Sequence, residues 1–158
     1  MSSPLELVRV DSSDLWEIAR RLVLEYAESL AIDLSFQDFE RELADLSTQY
    51  GPPTGCFVIA RSDGVALGCG GIRRISDATC EMKRLYVTPA GRHRGIGKKL
   101  IECLIQEAAQ IGYAEVVLDT LPTMTSAQRL YESLGFERIA AYRFNPIPGT
   151  TYWRRTLG

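Results

Sequence analysis

Apolar residues recur at helical spacing over 14–30, where Leu15, Ile18, Ala19, Leu22, Val23 and Tyr26 form one stripe, and Asp11, Ser12 and Ser13 stand ready to cap the first turn. A short strand-like run at 5–10 precedes it. Ser35, Phe36, Gln37 and Asp38 open a second helical pattern to about residue 47, with Phe36, Phe39, Leu43 and Leu46 on one face. The breakers Gly51 to Gly55 end it. Cys56 to Ala60, an Asp63-Gly64 turn and the run 65–75 then predict a hairpin, followed by a strand over 80–87 that stops at Pro89. Leu100, Ile101, Leu104, Ile105 and Ala108 mark a long amphipathic helix over 96–111, closed by Gly112. A strand over 114–118, a helix over 125–134 and strands over 136–144 and 151–157 complete the pattern. The order is β αα βββ α β α ββ, a mixed α/β domain with a mixed central sheet, in which strand, helix, strand implies a parallel crossover.

At 158 residues the chain is sized for one domain spanning 1–158, with neither repeats nor low-complexity tracts. A formal charge of -2 disfavours bulk binding to nucleic acid or anionic lipid. No apolar run approaches the ~20 residues that span a bilayer, and the first residues lack an export signal, so the expected address is the cytoplasm. The four cysteines form no CxxC pair and His93 is the lone histidine, which leaves no zinc spacing and points to buried reduced thiols. The run Gly68-Cys69-Gly70-Gly71 predicts a bulge or close backbone approach, since no helix follows it. Trp16 and Trp153 fit core or partner contacts better than ligand platforms.

Charge is uneven. Between Met82 and Ile101 lie Lys83, Arg84, Arg92, Arg94, Lys98 and Lys99, with no acid among them. Within this stretch Arg92-His93-Arg94-Gly95-Ile96-Gly97 separates a strand from the first turn of the long helix. Glycines let backbone N–H groups approach an anion, and a helix N-terminus adds unpaired donors and a positive dipole end. The physical reading is a phosphate cradle, and a basic loop capped by ordinary turn glycines is the alternative. It is not a P-loop, because Arg92 stands where the first glycine would be and Lys99 where a hydroxyl would follow the lysine. It is not a dinucleotide fingerprint either, since Leu100 is too large for the third glycine position.

Glu81-Met82-Lys83-Arg84-Leu85-Tyr86-Val87, Pro89, the Arg92-x-x-Gly95-x-Gly97 motif and Leu130-Tyr131-Glu132-Ser133-Leu134-Gly135-Phe136 together resemble the GNAT superfamily of acyl-CoA-dependent N-acetyltransferases, over nearly the whole chain. The resemblance implies that acetyl-CoA is the cosubstrate, held at its pyrophosphate by Arg92, His93, Arg94, Gly95, Ile96, Gly97 and Lys98. The backbone of Leu85, Tyr86 and Val87 would take the pantetheine arm on a strand splayed from its neighbour, and the Val87 N–H would polarise the acetyl carbonyl. It implies an acid at Tyr131 that protonates the leaving thiolate, and a general base at Glu81, acting directly or through a water. Glu81 read without the resemblance is a strand carboxylate paired with a nearby base, Tyr131 a core tyrosine, and His93 an exposed bystander. Alternation places Glu81 on one face with Lys83, Leu85 and Val87. Met124 departs from the family, many of whose members carry asparagine there, so its polar work passes to Thr123, Thr125, Ser126 or backbone, or is absent.

The expected reaction is direct attack by an amine of a small molecule or peptide on bound acetyl-CoA, in a homodimer. A coenzyme A-binding module without turnover is the alternative. Seven acids against Arg41 between Glu25 and Tyr50 suggest a cationic acceptor or a solvated helix face, and the loop 145–149 with Tyr142 and Tyr152 is expected to wall the acceptor site.

Overall fold

The computed structural model describes residues 4–30 and 39–158. Its elements are β1 (Glu6–Arg9), α1 (Ser13–Leu30), α2 (Phe39–Ala44), α3 (Leu46–Tyr50), β2 (Cys56–Ser62), β3 (Val65–Arg74), β4 (Thr79–Val87), α4 (Ile96–Ile111), β5 (Glu115–Thr120), α5 (Thr125–Ser133), β6 (Glu137–Ile139) and β7 (Thr151–Thr156). The strands form one mixed sheet in the order β1-β2-β3-β4-β5-β7-β6. Of its pairings only β4 with β5 is parallel, joined by the expected crossover through α4.

Two expected elements change. The start of the second predicted helix, 35–38, lies outside the described residues, and the rest is broken at Asp45, whose backbone at φ -139, ψ 37 is not helical. The Asp45 carbonyl accepts the N–H groups of Thr48 and Gln49 and so restarts the turn as α3. The break lets Glu42 and Tyr50 both reach the sheet. The strand expected over 136–144 ends at Ile139, because Tyr142 and Arg143 leave the sheet edge to bond Glu81.

Both faces of the sheet are covered. On one, Leu100, Ile101, Leu104 and Ala108 of α4 pack against Val58, Ile72, Met82, Val116 and Leu118; on the other, Ala19, Leu22 and Val23 of α1 and Tyr50 of α3 meet Phe57, Ile59 and Tyr86. Each fully buried leucine contributes about 1.5–3 kcal/mol relative to exposure. The glycines of β3 permit this close stacking, since a Cβ on Gly71 would lie 2.6 Å from the Phe57 ring and one on Gly68 2.8 Å from the Tyr86 carbonyl. Trp16 stacks near Phe57 and Trp153 is in the α4-side core. All four cysteines are free, three of them buried, and burial pushes the Cys56 and Cys80 thiols up to about 12.

β4 carries a bulge. Gly71 faces Lys83 and Cys69 faces Tyr86, so Arg84 and Leu85 together oppose Gly70, and Arg84 takes φ +60. The extra residue overturns the face assignment made by simple alternation. Glu81 and Lys83 share a face, whereas Leu85 and Val87 belong with the α4-side core, where Leu85 lies over Leu104 beside Gly70. Arg84 turns to the opposite side and bonds Glu42 of α2.

Candidate functional site

Past the pairing of Glu81 with Val117, β4 and β5 no longer pair. The Thr88 N–H donates to Leu67 of β3, so by strand alternation the Val87 N–H points away from β3, into the gap that β5 has left. That gap is the inner end of a cleft. An inner chamber is lined by Tyr26, Lys83, Arg84, Asp119, Thr120 and Tyr131, and an outer groove by Ser29, Tyr86, Val87, Arg92, Thr123 and Ser126. The two share Tyr26, Leu85, Met124 and Ala127 as walls, which makes them one channel leading toward the start of α4.

At the channel's outer end, a single 3-10 turn over Pro89–Gly91 is capped by Thr88, and His93 and Gly95 adopt positive φ of 66 and 70. The first amide of α4 with a helical acceptor is Lys99, bonded to the Gly95 carbonyl at 3.3 Å. The N–H groups of Ile96, Gly97 and Lys98 therefore lack helical acceptors and offer donors to an anion. A Cβ at Gly95 would meet nothing within 4 Å, and one at Gly97 would meet only Leu130 at 3.5 Å and Val87 at 3.9 Å. Internal packing does not require glycine at position 97; the space above it fits a ligand approaching the backbone. Arg92, His93 and Lys98 are exposed, Arg94 is half-buried with its guanidinium 3.5 Å from the Ser62 hydroxyl, and the Ile96 side chain is sealed in the core, leaving only its amide to the cradle.

Tyr131 is 6% exposed, packs on Phe136 at 5.4 Å and lines the inner chamber. Burial raises its hydroxyl well above the usual tyrosine range, so it stays protonated and able to donate. Met124 lines both parts of the channel, with Thr123, Thr125 and Ser126 along the outer groove. Met124 makes an apolar wall where the resemblance led to an expected asparagine.

Glu81 is fully buried. Its Oε1 accepts from Arg73 at 3.1 Å and Arg143 at 2.6 Å, and its Oε2 from the Tyr142 hydroxyl at 2.5 Å. Burial alone would raise its pKa, but the charges of Lys83, Arg143 and Arg73 and the Tyr142 bond outweigh it and hold the carboxyl below the ordinary range. It is thus paired with bases, as one of its two sequence readings has it. Lys83, on the same face, is buried beside the chamber, and desolvation lowers its ammonium to about 8 against the opposing pull of Glu81.

Sequence reasoning missed three residues. Asp119, at the parting end of β5, lines the chamber with Tyr131, and its carboxylate accepts a long 3.4 Å contact from Asn145. Arg143 and Glu42 enter only through contacts distant in sequence. In the acid-rich stretch, Glu42 bonds Arg84, Glu25 accepts from the Tyr86 hydroxyl at 2.6 Å, and Glu28, Glu40 and Asp45 face solvent. Asp33 and Asp38 lie outside the described residues. Among those residues no group of side chains could hold a metal ion, and no helix is long and apolar enough to cross a membrane.

Residues 16–136 match the acetyltransferase (GNAT) family. An uncharacterised N-acetyltransferase of Schizosaccharomyces pombe is 43% identical over 137 residues, covering 85% of this chain and 84% of its own. A GNAT-family acetyltransferase from Staphylococcus aureus superposes with a TM-score of 0.81 at 21% identity, over 98% of this chain and all (100%) of the other. YncA of Salmonella typhimurium, solved with its cofactor acetyl-CoA, superposes at 0.66 with 24% identity over 99% and 95% of the two chains. Channel, cradle, sheet order and family match agree, and the chain belongs to the GNAT family of acetyltransferases.

Proposed function

We propose that the chain moves an acetyl group from acetyl-CoA to the amine of a small molecule or peptide by direct attack within a ternary complex. The observation that carries this is the single channel from the donor-rich start of α4, along the freed backbone of β4, to the Tyr131 side chain. Arg92, His93, Arg94 and Lys98 supply charge at the cradle, and the amides of Gly95, Ile96, Gly97 and Lys98 supply donors. Leu85, Tyr86 and Val87 present the strand to the pantetheine arm, with the Val87 N–H directed at the acetyl oxygen. Acetyl-CoA brings the activated thioester. Tyr131 delivers the proton to the departing sulfur. No cysteine serves as a nucleophile, because burial keeps the thiols protonated. The same reading takes the chain as a cytoplasmic homodimer.

The base is reassigned within this proposal. Asp119 faces the chamber that Tyr131 lines and takes the proton from the acceptor ammonium, while Glu81 acts as a positioning residue that fixes Arg73, Arg143 and Tyr142. The expected signature is a pH–rate profile. Because Glu81 is held below the ordinary carboxylate range, it stays ionised throughout the working pH and is a weaker base than a free carboxylate. Glu81→Gln should therefore slow the enzyme by a similar factor at every pH, whereas Asp119→Asn should cost most near neutrality and recover as the free amine increases. The reverse pattern would return the base to Glu81.

Initial-rate lines with acetyl-CoA and an amine varied together should intersect; parallel lines would indicate an acetyl-enzyme and exclude direct attack. In calorimetry, Arg92→Ala should weaken acetyl-CoA binding by ~1–3 kcal/mol, the worth of a charge-assisted contact. Unchanged affinity would remove Arg92 from the cradle.

A further inference from the structure

On the face of β4 that carries Glu81 and Lys83 is a second open cleft lined by Thr48, Gln49, Thr54, Arg73, Arg74 and Arg143, with no carboxylate in its lining among the described residues. Two of its guanidinium groups are fixed from behind. Arg73 is held by Glu81 and donates to the Gln49 carbonyl oxygen at 3.0 Å, while Arg143 is held by Glu81, lies over the Tyr142 ring at 5.5 Å and is tethered through its carbonyl by the Tyr152 hydroxyl at 3.0 Å. Among the described residues, Arg73, Arg84 and Arg143 share two carboxylates, Glu42 and Glu81, which leaves one positive charge over among these five side chains. The Arg143 Nε–H is buried without a partner.

Guanidinium N–H groups left over from the bonds to Glu81 match the oxygens of a carboxylate, and a surplus of one charge matches a monoanion. Glu81, which anchors the pair, is two residues from Lys83 on the same strand face, a step of about 6.5 Å. The fork therefore stands one strand repeat from the chamber shared by Lys83, Asp119 and Tyr131, a distance that an amino acid covers when its amine and its carboxylate each add a hydrogen bond of about 3 Å.

We propose that the acceptor is an amine bearing a carboxylate, seated on Arg143 and Arg73 while its amino group meets Asp119. This rests on the acetyl-transfer reading and sets the class of its acceptor. The test compares phenylalanine, histidine and lysine with their decarboxylated counterparts phenethylamine, histamine and cadaverine, by turnover and by titration into the protein saturated with coenzyme A. Carboxylate-bearing amines should be favoured in kcat/KM and in affinity by at least tenfold, and Arg143→Gln should reduce that preference at least tenfold with acetyl-CoA affinity unaltered.

Equal or better use of the decarboxylated amines overturns carboxylate recognition, as does failure of every carboxylate-bearing amine to bind or react in a chain that binds acetyl-CoA. A preference that survives Arg143→Gln overturns the assigned seat. In each of these cases acetyl-CoA binding persists and the acetyl-transfer reading stands; a wild-type chain that does not bind acetyl-CoA takes both down together.

Discussion

Tyr131→Phe should lower kcat by ~10²–10⁴ while the acetyl-CoA dissociation constant stays within about twofold, because a proton given to the leaving sulfur acts mainly in the transition state. The geometry suits that separation. The ring is fixed on Phe136 and packed in the α4-side core, so removing one oxygen leaves packing intact. Burial raises the hydroxyl's pKa, which makes it a reluctant donor to water but an adequate one to a thiolate generated beside it. The measurement is steady-state turnover with a calorimetric titration of the same variant. Wild-type turnover in a folded Tyr131→Phe would reduce Tyr131 to a core residue; an equal loss in affinity would make it a binding group.

The largest expected effect on stability is at Glu42. Its carboxylate takes Arg84 Nε at 2.6 Å and Nη2 at 3.1 Å, and the two side chains are 1% and 2% exposed. Glu42→Ala would strand a buried guanidinium, at a cost of ~3–5 kcal/mol. Urea unfolding should show a much lower midpoint with an unchanged slope. Substituting both partners with apolar residues, Glu42→Leu with Arg84→Met, should recover most of the loss, since neither charge then needs solvation. A single variant within 0.5 kcal/mol of the wild type would show that water or a neighbour solvates Arg84.

Much of the architecture is legible along the chain because it depends on local physics. The α4 stripe and its glycine stop predict Ile96–Ile111 to the residue, and the crossover through it follows from element order. The cradle is equally local, since Gly95, Gly97 and the helix start are adjacent in sequence. Face assignment on β4 fails where it depends on unbroken alternation, which cannot show that Arg84 adopts a positive φ. The environment of Glu81 fails for another reason: its partners Tyr142 and Arg143 lie 61 and 62 residues away. Nothing near Glu81 distinguishes a base open to substrate from a carboxylate enclosed by donors. Asp119 was overlooked because a lone acid ending an apolar strand looks like a solvated terminus until β4 is seen to part from β5.

The bulge has an evolutionary corollary. Arg84 is an insertion in register: if it were deleted, Gly70 would face Leu85, while Glu81, Lys83, Tyr86 and Val87 would keep their present sides of the sheet. The gain and the loss of the extra position are therefore codon events of one residue, open to an in-frame indel and closed to any single-base substitution that preserves chain length. Point mutation can change which side chain occupies the extra position, and so adjust the floor beneath the acceptor, without disturbing the strand that holds the cosubstrate.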